Sequence, residues 1–330
     1  MPAIPPEQLV EAITSALSDS GTIAQLVSPV RRQPRRFVLA GQNGPHALTI
    51  YAWSLTPGGR PSLRNEYRIQ MTSVESPLTL ATDGPTILVG YHPELNLFAG
   101  FDLERHRTFT TGSPSVQIDI QELRRAETEG LSFHRKSNDE IAIGIRPDML
   151  LAYAVNARVL HRYGKDANVL KLLNQAVHEQ PPQEAVEALS TERQRIISEV
   201  SRLSRAAGFR QRVLFAYGNR CAITRVQLKL VDAAHILPVG AQGSADHVTN
   251  GIALSPTYHR AFDAGLIYLD ETHQMRINDG QLHILQHLNL GGGIGTFRAP
   301  LGKIFLPPDP QQRPAPNFIK AANKFRHLTA

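Results

Sequence analysis

The last third of the chain contains four polar residues whose types take part in hydrolytic chemistry: His235, Asn250, His259 and Asp263. His259 and Asp263 are four residues apart, so on a helix they lie on one face. An imidazole and a carboxylate on one helical face suit a single divalent cation. The pair therefore predicts a cation site on a helix.

His235 ends an apolar run, and from a strand beside that helix it can activate water rather than bind the cation. Hydrolysis of a phosphodiester needs both functions, a base for the attacking water and a cation for the charge on phosphate and leaving oxygen. A lone histidine after such a run is normally a packing or surface residue. The hypothesis therefore depends on the whole set, and Asn250-Gly251 alone is equally typical of a turn.

The elements that must position these residues follow from the local pattern. The run KLVDAAHI is of β type, and a polar loop of about a dozen residues follows it. The short apolar run IALS comes next, and then TYHRAFDAG has helical character up to Gly265. The order strand, loop, short strand, helix is thus predicted.

The segment 212–270 resembles the HNH nuclease family, whose ββα-metal fold is named for His, Asn and His positions. The phrases AAHILP, TNGIALS and HRAFDAGLI carry this likeness, and they are similar to bacterial restriction-type endonucleases. The resemblance implies that His235 is the general base and that Asn250 bonds across the loop to steady it. It further implies that His259 binds the metal and that Asp263 is an additional ligand.

One departure from the family pattern concerns the position before the base, where many members place a metal ligand and this chain has Ala234. Asp232 lies two residues earlier on the same strand face and is the candidate replacement. The resemblance implies one divalent cation per site, Mg²⁺ or Mn²⁺. Because Cys221 is the only cysteine, the structural zinc of some relatives is not expected.

A one-sided run of basic residues precedes the motif: residues 202–229 contain seven Arg or Lys and no Asp or Glu. Such a run fits phosphate contact, although a solvated helix face is the alternative. We predict nucleic-acid contacts from Arg212, Arg220 and Arg225, and from Arg260 beside His259.

The first part of the chain has a different pattern. Helical spacing over 6–19 is followed by short β-type runs between residues 37 and 145, and helical spacing returns over 148–177. We therefore predict an α+β protein with two domains, a β-rich target-recognition module at 1–180 and an HNH nuclease domain at 181–330.

Several side chains of the first module are candidates for DNA contact. The basic cluster Arg31–Arg36, together with Arg64 and Arg68, can meet phosphates or base edges. Its aromatic residues are expected to pack the β core, while stacking on a flipped, modified base is the alternative. These residues are Tyr51, Trp53, Tyr67, Tyr91, Phe98 and Phe101.

Composition limits the class of protein. The chain has 330 residues, 42% hydrophobic, with a formal net charge of +6. This composition excludes disorder throughout, and the basic balance favours an acidic partner only weakly. A single cysteine and the lack of any apolar run long enough for a bilayer predict a soluble, cytoplasmic protein.

The leading hypothesis is a metal-dependent endonuclease of a restriction or defence system that acts on double-stranded DNA, modified or unmodified. A cognate methyltransferase is then an expected partner, and a homodimer would supply two active sites for double-strand cutting. Two alternatives stay open: a DNA-binding protein whose nuclease fold has lost activity, and a toxin nuclease without sequence choice. The remaining histidines, including His283 and His287, receive no role.

Overall fold

The computed structural model describes residues 3–40, 47–59, 63–110, 112, 114–178 and 181–328. The chain forms two compact units, residues 1–207 and residues 208–330. The division falls inside one long helix, whereas the sequence pattern had placed a boundary near residue 180. Among the described residues, no helix combines the length and apolar character needed to cross a bilayer.

The first unit is built on β-strands, which the apolar runs between Gly, Pro, Asn and Asp residues predict. Ten strands are described: β1 (Ile23–Leu26), β2 (Arg35–Ala40), β3 (Ala47–Ser54), β4 (Thr56–Pro57), β5 (Glu66–Gln70), β6 (Thr86–His92), β7 (Leu97–Phe101), β8 (Ser115–Asp119), β9 (Leu131–Arg135) and β10 (Ile141–Ile145). A seven-stranded sheet has the order β1-β2-β3-β6-β7-β10-β9, and β4-β5-β8 form a second sheet. Within the larger sheet only β3 and β6 run parallel.

The central strands of the larger sheet are covered on both faces. Strands β7 and β10 are buried at every residue, which explains their continuous apolar runs LFAGF and IAIGI. One apolar cluster packs helices against the sheet, and a second lies between the sheet, β5, β8 and a short helix. Tyr51, Tyr91, Phe98 and Phe101 belong to these clusters, as expected for core aromatic residues.

Helices precede, interrupt and follow these strands along the chain. They are α1 (Pro6–Asp19), α2 (Leu103–His106), α3 (Ile120–Glu129), α4 (Leu150–Tyr163), α5 (Ala167–His178), α6 (Gln183–Glu187) and α7 (Thr191–Ala216). Helix α6 ends at Glu187, and the much longer α7 begins at Thr191. Helix α7 then continues through Gly208 to Ala216, because the apolar side chains of Phe209 and Val213 keep helical spacing and are buried.

The second unit contains the predicted strand-loop-strand-helix order as β11 (Asp232–His235), β12 (Gly251–Leu254) and α8 (Pro256–Asp263). Strands β11 and β12 are antiparallel, with His235 opposite Gly251. The remaining elements are β13 (Ile267–Leu269), β14 (Gln274–Ile277), α9 (Asp279–His287), α10 (Ile294–Arg298), β15 (Gly302–Lys303) and α11 (Pro316–Phe325). The predicted α+β class, with a sheet-rich amino-terminal part and a carboxyl-terminal ββα unit, is confirmed.

Candidate active site

His235 stands at the end of β11 and is held on two sides. Its ring stacks on Phe209 of α7 at a centroid distance of 3.7 Å and an interplanar angle of 11°. Its Nε2 lies 2.9 Å from Oδ1 of Asp246. Because an ionised carboxylate only accepts, Nε2 donates this bond and the neutral ring keeps a lone pair on Nδ1. The geometry thus fixes a histidine whose Nδ1 can accept a proton.

Gly251 allows the helix to approach the strand that faces His235. A Cβ at this position would lie 2.2 Å from Cγ2 of Val213 and 3.1 Å from Cζ of Phe209. The φ angle of Gly251 is −119°, so the glycine is required for this close approach and not for a turn conformation. The close packing puts the ring of Phe209 where it can stack on His235.

Asn250 is fully buried and bonds across the loop that joins β11 to β12. Its Oδ1 accepts from the N–H of Leu237 at 2.8 Å. Its Nδ2 donates to the carbonyls of Leu237 and Ala245 and to Oγ of Ser244. One side chain therefore ties the chain just after His235 to the residue just before Asp246. This arrangement agrees with a positioning role for Asn250 and not with a simple turn.

Replacing Asn250 with Ala is expected to destabilise the second unit by about 3 kcal/mol, because buried backbone groups of Leu237 and Ala245 lose their partners. Cleavage should fall as well, since the loop that carries Asp246 is released. Thermal unfolding of the full chain measures the first effect. Asn323→Ala is the matched control, because that side chain is only partly buried and gives one bond to the carbonyl of Leu269. Equal stability of the two variants would contradict the role of Asn250.

A second group of side chains surrounds His259 on α8. Its Nε2 lies 3.3 Å from Oδ2 of Asp263, four residues along the helix. Its Nδ1 lies 3.8 Å from Oδ2 of Asp232 on β11. The other oxygen of Asp232 accepts from Nη1 of Arg210 at 3.0 Å. Strand β11 and helix α8 thus bring together the two candidate carboxylates and the candidate imidazole ligand.

The charges in this group support one another. The carboxylate of Asp232 raises the pKa of His259, and Asp263 adds to this effect although partial burial opposes it. The imidazole of His259 in turn lowers the pKa of Asp232, and Arg210 lowers it further. The carboxylate of Asp232 is therefore ionised, and its oxygens are suited to bind a cation.

The donor set fits a divalent cation in its chemistry, with imidazole nitrogen and carboxylate oxygen. The two carboxylates nevertheless contact different nitrogens of His259, and these nitrogens diverge. Each carboxylate therefore forms a separate nitrogen–oxygen pair with His259. Among the described residues, no group of three or more His, Cys, Asp or Glu has the geometry of an assembled metal site. Ala234 adds no ligand, because its methyl side chain carries no donor atom, and it packs in the core instead.

Strand β11 and helix α7 contribute to both groups of side chains, the one around His235 and the one around His259. Asp232 and His235 are the first and last residues of β11, separated by roughly 10 Å of strand. Phe209 and Arg210 are neighbours on α7, and they contact His235 and Asp232 respectively. Within the described chain, no hydrogen bond or ion pair joins His235 to His259. A substrate that contacts both His235 and His259 must therefore span the gap between them.

The four basic residues predicted to contact nucleic acid have different surroundings. Nη2 of Arg212 donates to the backbone carbonyl of Asp246 at 2.9 Å, so this side chain also fixes the loop. The guanidinium of Arg225 lies over the ring of Phe305 at 5.0 Å. Arg220 and Arg260 are exposed, and the described residues include no ion-pair partner for either.

The arginine cluster of the first unit is more structural than the sequence suggested. Arg35 is buried and donates to the carbonyls of Val30 and Ala52. Arg31 pairs with Glu7, and Arg36 pairs with Asp83. Within the cluster Arg31–Arg36, Arg35 is thus excluded as a surface contact for DNA, because its buried guanidinium donates hydrogen bonds to backbone carbonyls.

Two family descriptions match separate parts of the chain. Residues 221–270 match the family described as HNH endonuclease, and this range contains β11, β12 and α8. This segment is an HNH endonuclease domain. The chain therefore carries a nuclease domain of the HNH type. Residues 46–154 match the family described as Methylase-associated X1.

Among solved structures, a distant likeness is found. A solved structure described as a modification-dependent TagI restriction endonuclease matches with 11% sequence identity and a TM-score of 0.29. The match covers 84% of this chain and 80% of that chain. No curated protein matches the HNH-type chain at a significant level.

The structure shows contributors to the candidate site that the sequence pattern did not reveal. Asp246 lies in a polar loop without periodicity, 11 residues from the histidine that it contacts. Phe209 and Arg210 precede the HNH segment and contact it only because α7 packs beside β11. The sequence does place a carboxylate, Asp246, four residues before Asn250. That loop holds other polar residues as well, so residue type alone does not single out Asp246 as a site residue.

Proposed function

We propose that the protein is a metal-dependent DNA endonuclease of a restriction or defence system, with His235 as the general base. One observation supports this role most strongly. The imidazole of His235 is fixed between Phe209 and Asp246, so its Nδ1 keeps a lone pair in a defined direction. A histidine in such a setting is suited to take a proton from an attacking water.

In the proposed reaction, Nδ1 of His235 accepts a proton from water while the water oxygen attacks phosphorus. The bond from phosphorus to the leaving oxygen breaks on the opposite side. The carboxylate of Asp246 stabilises the imidazolium that forms, and it keeps the ring in the productive tautomer. A bound divalent cation, Mg²⁺ or Mn²⁺, would supply stabilisation for the charge on the phosphate and the leaving oxygen.

His259 is the proposed centre of the cation site, with Asp232 or Asp263 as its partner. Asp232 lies on the same strand as His235, and the ion pair with Arg210 holds its carboxylate in place. Asp263 is more exposed and sits on the same helix as His259. Either carboxylate gives the mixed nitrogen and oxygen donor set that a divalent cation accepts.

Replacing Asp246 with Asn should lower kcat by roughly 100-fold or more with little change in KM, since the carboxylate acts on His235 and not on DNA. Steady-state cleavage over a range of DNA concentrations measures both parameters. Glu271→Gln, which removes an exposed carboxylate paired with Lys320, is the matched control. A change confined to KM would argue against this role.

The amino-terminal module, residues 1–180, is the proposed reader of the DNA target. The match of residues 46–154 to the family Methylase-associated X1 supports a link to a methyltransferase of the same system. Arg32 and Arg64 of this module are exposed and are proposed to contact phosphates. Action on DNA in the cytoplasm is part of this proposal.

Digestion of genomic DNAs that carry different methylation patterns, followed by mapping of the ends, tests the proposal. A restriction-type nuclease gives discrete ends on some of these DNAs and spares others. A smear on every DNA would favour a nuclease without sequence choice. Binding without cleavage on all of them, with Mg²⁺ and with Mn²⁺, would overturn the catalytic proposal.

A further inference from the structure

Helix α9 carries a pair of imidazoles that the nuclease site does not use. His283 and His287 are four residues apart and exposed, and their Nε2 atoms lie 3.0 Å from each other. The rings meet edge to face, with centroids 4.5 Å apart. Two nitrogens bound to one zinc ion at about 2.0–2.1 Å in tetrahedral geometry are roughly 3.3 Å apart. The pair therefore needs only a small adjustment of exposed side chains to chelate one ion.

This pair supplies only half of a tetrahedral site. Zinc takes four ligands in closed structural sites. Among the described residues, no third His, Cys, Asp or Glu completes a group with this pair. Asp279, one turn earlier on α9, is itself 3.6 Å from the guanidinium of Arg298. The missing ligands must therefore come from water or from another molecule.

The surface around the pair is unusual for this chain. Ile284, Leu288 and Leu290 are exposed by 53%, 62% and 66%. Residues 280–297 contain no Asp, Glu, Lys or Arg, although 19% of the whole chain is charged. A lack of charged residues together with exposed aliphatic side chains is typical of the centre of an interface.

We propose that Zn²⁺ joins two copies of this chain through helix α9. His283 and His287 of each copy supply two of four nitrogen ligands, and Ile284 and Leu288 of each copy pack beside the ion. A two-fold arrangement presents the same patch from both copies, so the half-site of one completes the half-site of the other. Imidazole ligands select Zn²⁺ over Mg²⁺, which prefers oxygen. This association does not depend on the catalytic roles proposed above.

Sedimentation equilibrium of the full chain tests the proposal. Half an equivalent of Zn²⁺ bound by α9 should double the mass of the wild type, EDTA should reverse this, and Mg²⁺ should have no effect. His283→Ala and His287→Ala should each stay monomeric at the same Zn²⁺ concentration, with association weakened at least tenfold. His327→Asn, which removes one exposed imidazole elsewhere, should dimerise like the wild type.

A further variant separates ion binding from association. Leu288→Lys should still bind one Zn²⁺ through the pair but should fail to dimerise, because two lysines would face each other. Any Zn²⁺ taken up at the nuclease site is common to all these variants and cancels in the comparison. The proposal is overturned if the wild type stays monomeric with Zn²⁺, if it dimerises equally in EDTA, or if His283→Ala dimerises like the wild type.

Discussion

His235→Ala is expected to lower the rate of DNA cleavage by about 10³-fold, within the range that loss of a general base produces. Nδ1 of this ring is the only proton acceptor that the proposal assigns to the attacking water. The change should leave DNA affinity within about twofold, because the side chain is only 17% exposed, hydrogen-bonds to Asp246 and stacks on Phe209. Single-turnover cleavage and equilibrium binding of the same DNA measure the two quantities.

His327→Asn serves as the control for His235→Ala, since it also removes one imidazole from the second unit. Added imidazole should restore part of the activity of His235→Ala, because the face of Phe209 is left open. Loss of binding in parallel with loss of cleavage would instead indicate that His235 contacts DNA or maintains the fold.

His259→Ala is expected to abolish metal-supported cleavage, with a loss of at least about 10³-fold, because both candidate cation sites include its imidazole. The fold should persist, since the side chain is partly exposed on α8 and alanine is a good helix former. Cleavage titrated with Mg²⁺ or Mn²⁺ and calorimetric titration of the ion measure the effect. Full activity of His259→Ala would rule out the ligand assignment.

The carboxylate that shares the cation can be identified in the same experiment. Asp232→Asn and Asp263→Asn keep side-chain size and remove one charge each. If the ion lies on the Nδ1 side of His259, Asp232→Asn loses ion affinity and Asp263→Asn does not. The opposite result places the ion on the Nε2 side. Equal affinity of both variants with the wild type would contradict a site centred on His259.

The sequence predicted most of the local structure, because local periodicity determines it. The helix over 6–19 and the apolar strands of the first unit are present in the structure, as is the strand-loop-strand-helix order of the second. Strand β1 was missed because its residues are half exposed at the sheet edge, which leaves only a weak apolar pattern. Strand β9 lies within the range predicted to hold β-type runs, although its run LSFHR alternates poorly and ends in polar residues.

The part of the candidate site that lies within one strand or one helix was also predictable from residue types. His259 and Asp263 share a face of α8, as their spacing requires. The contacts made by Asp246 and Phe209 were not predictable, because they depend on how a loop and a preceding helix pack against β11. The same packing directs Arg212 to the loop backbone, a contact that neither reading of the basic run, phosphate contact or a solvated helix face, includes.

The central claim is that His235 and a cation held by His259 act on one phosphate, and the most direct test measures their proximity. Histidine-selective ¹³C labelling of the full chain, with ring signals assigned by substitution, allows Mn²⁺ to be used as a paramagnetic probe. We predict that Mn²⁺ broadens the ring signals of both His259 and His235, and that His259→Ala removes the broadening at His235. Broadening at His259 with an unaffected His235 signal would show that the base and the cation are too far apart to share a phosphate.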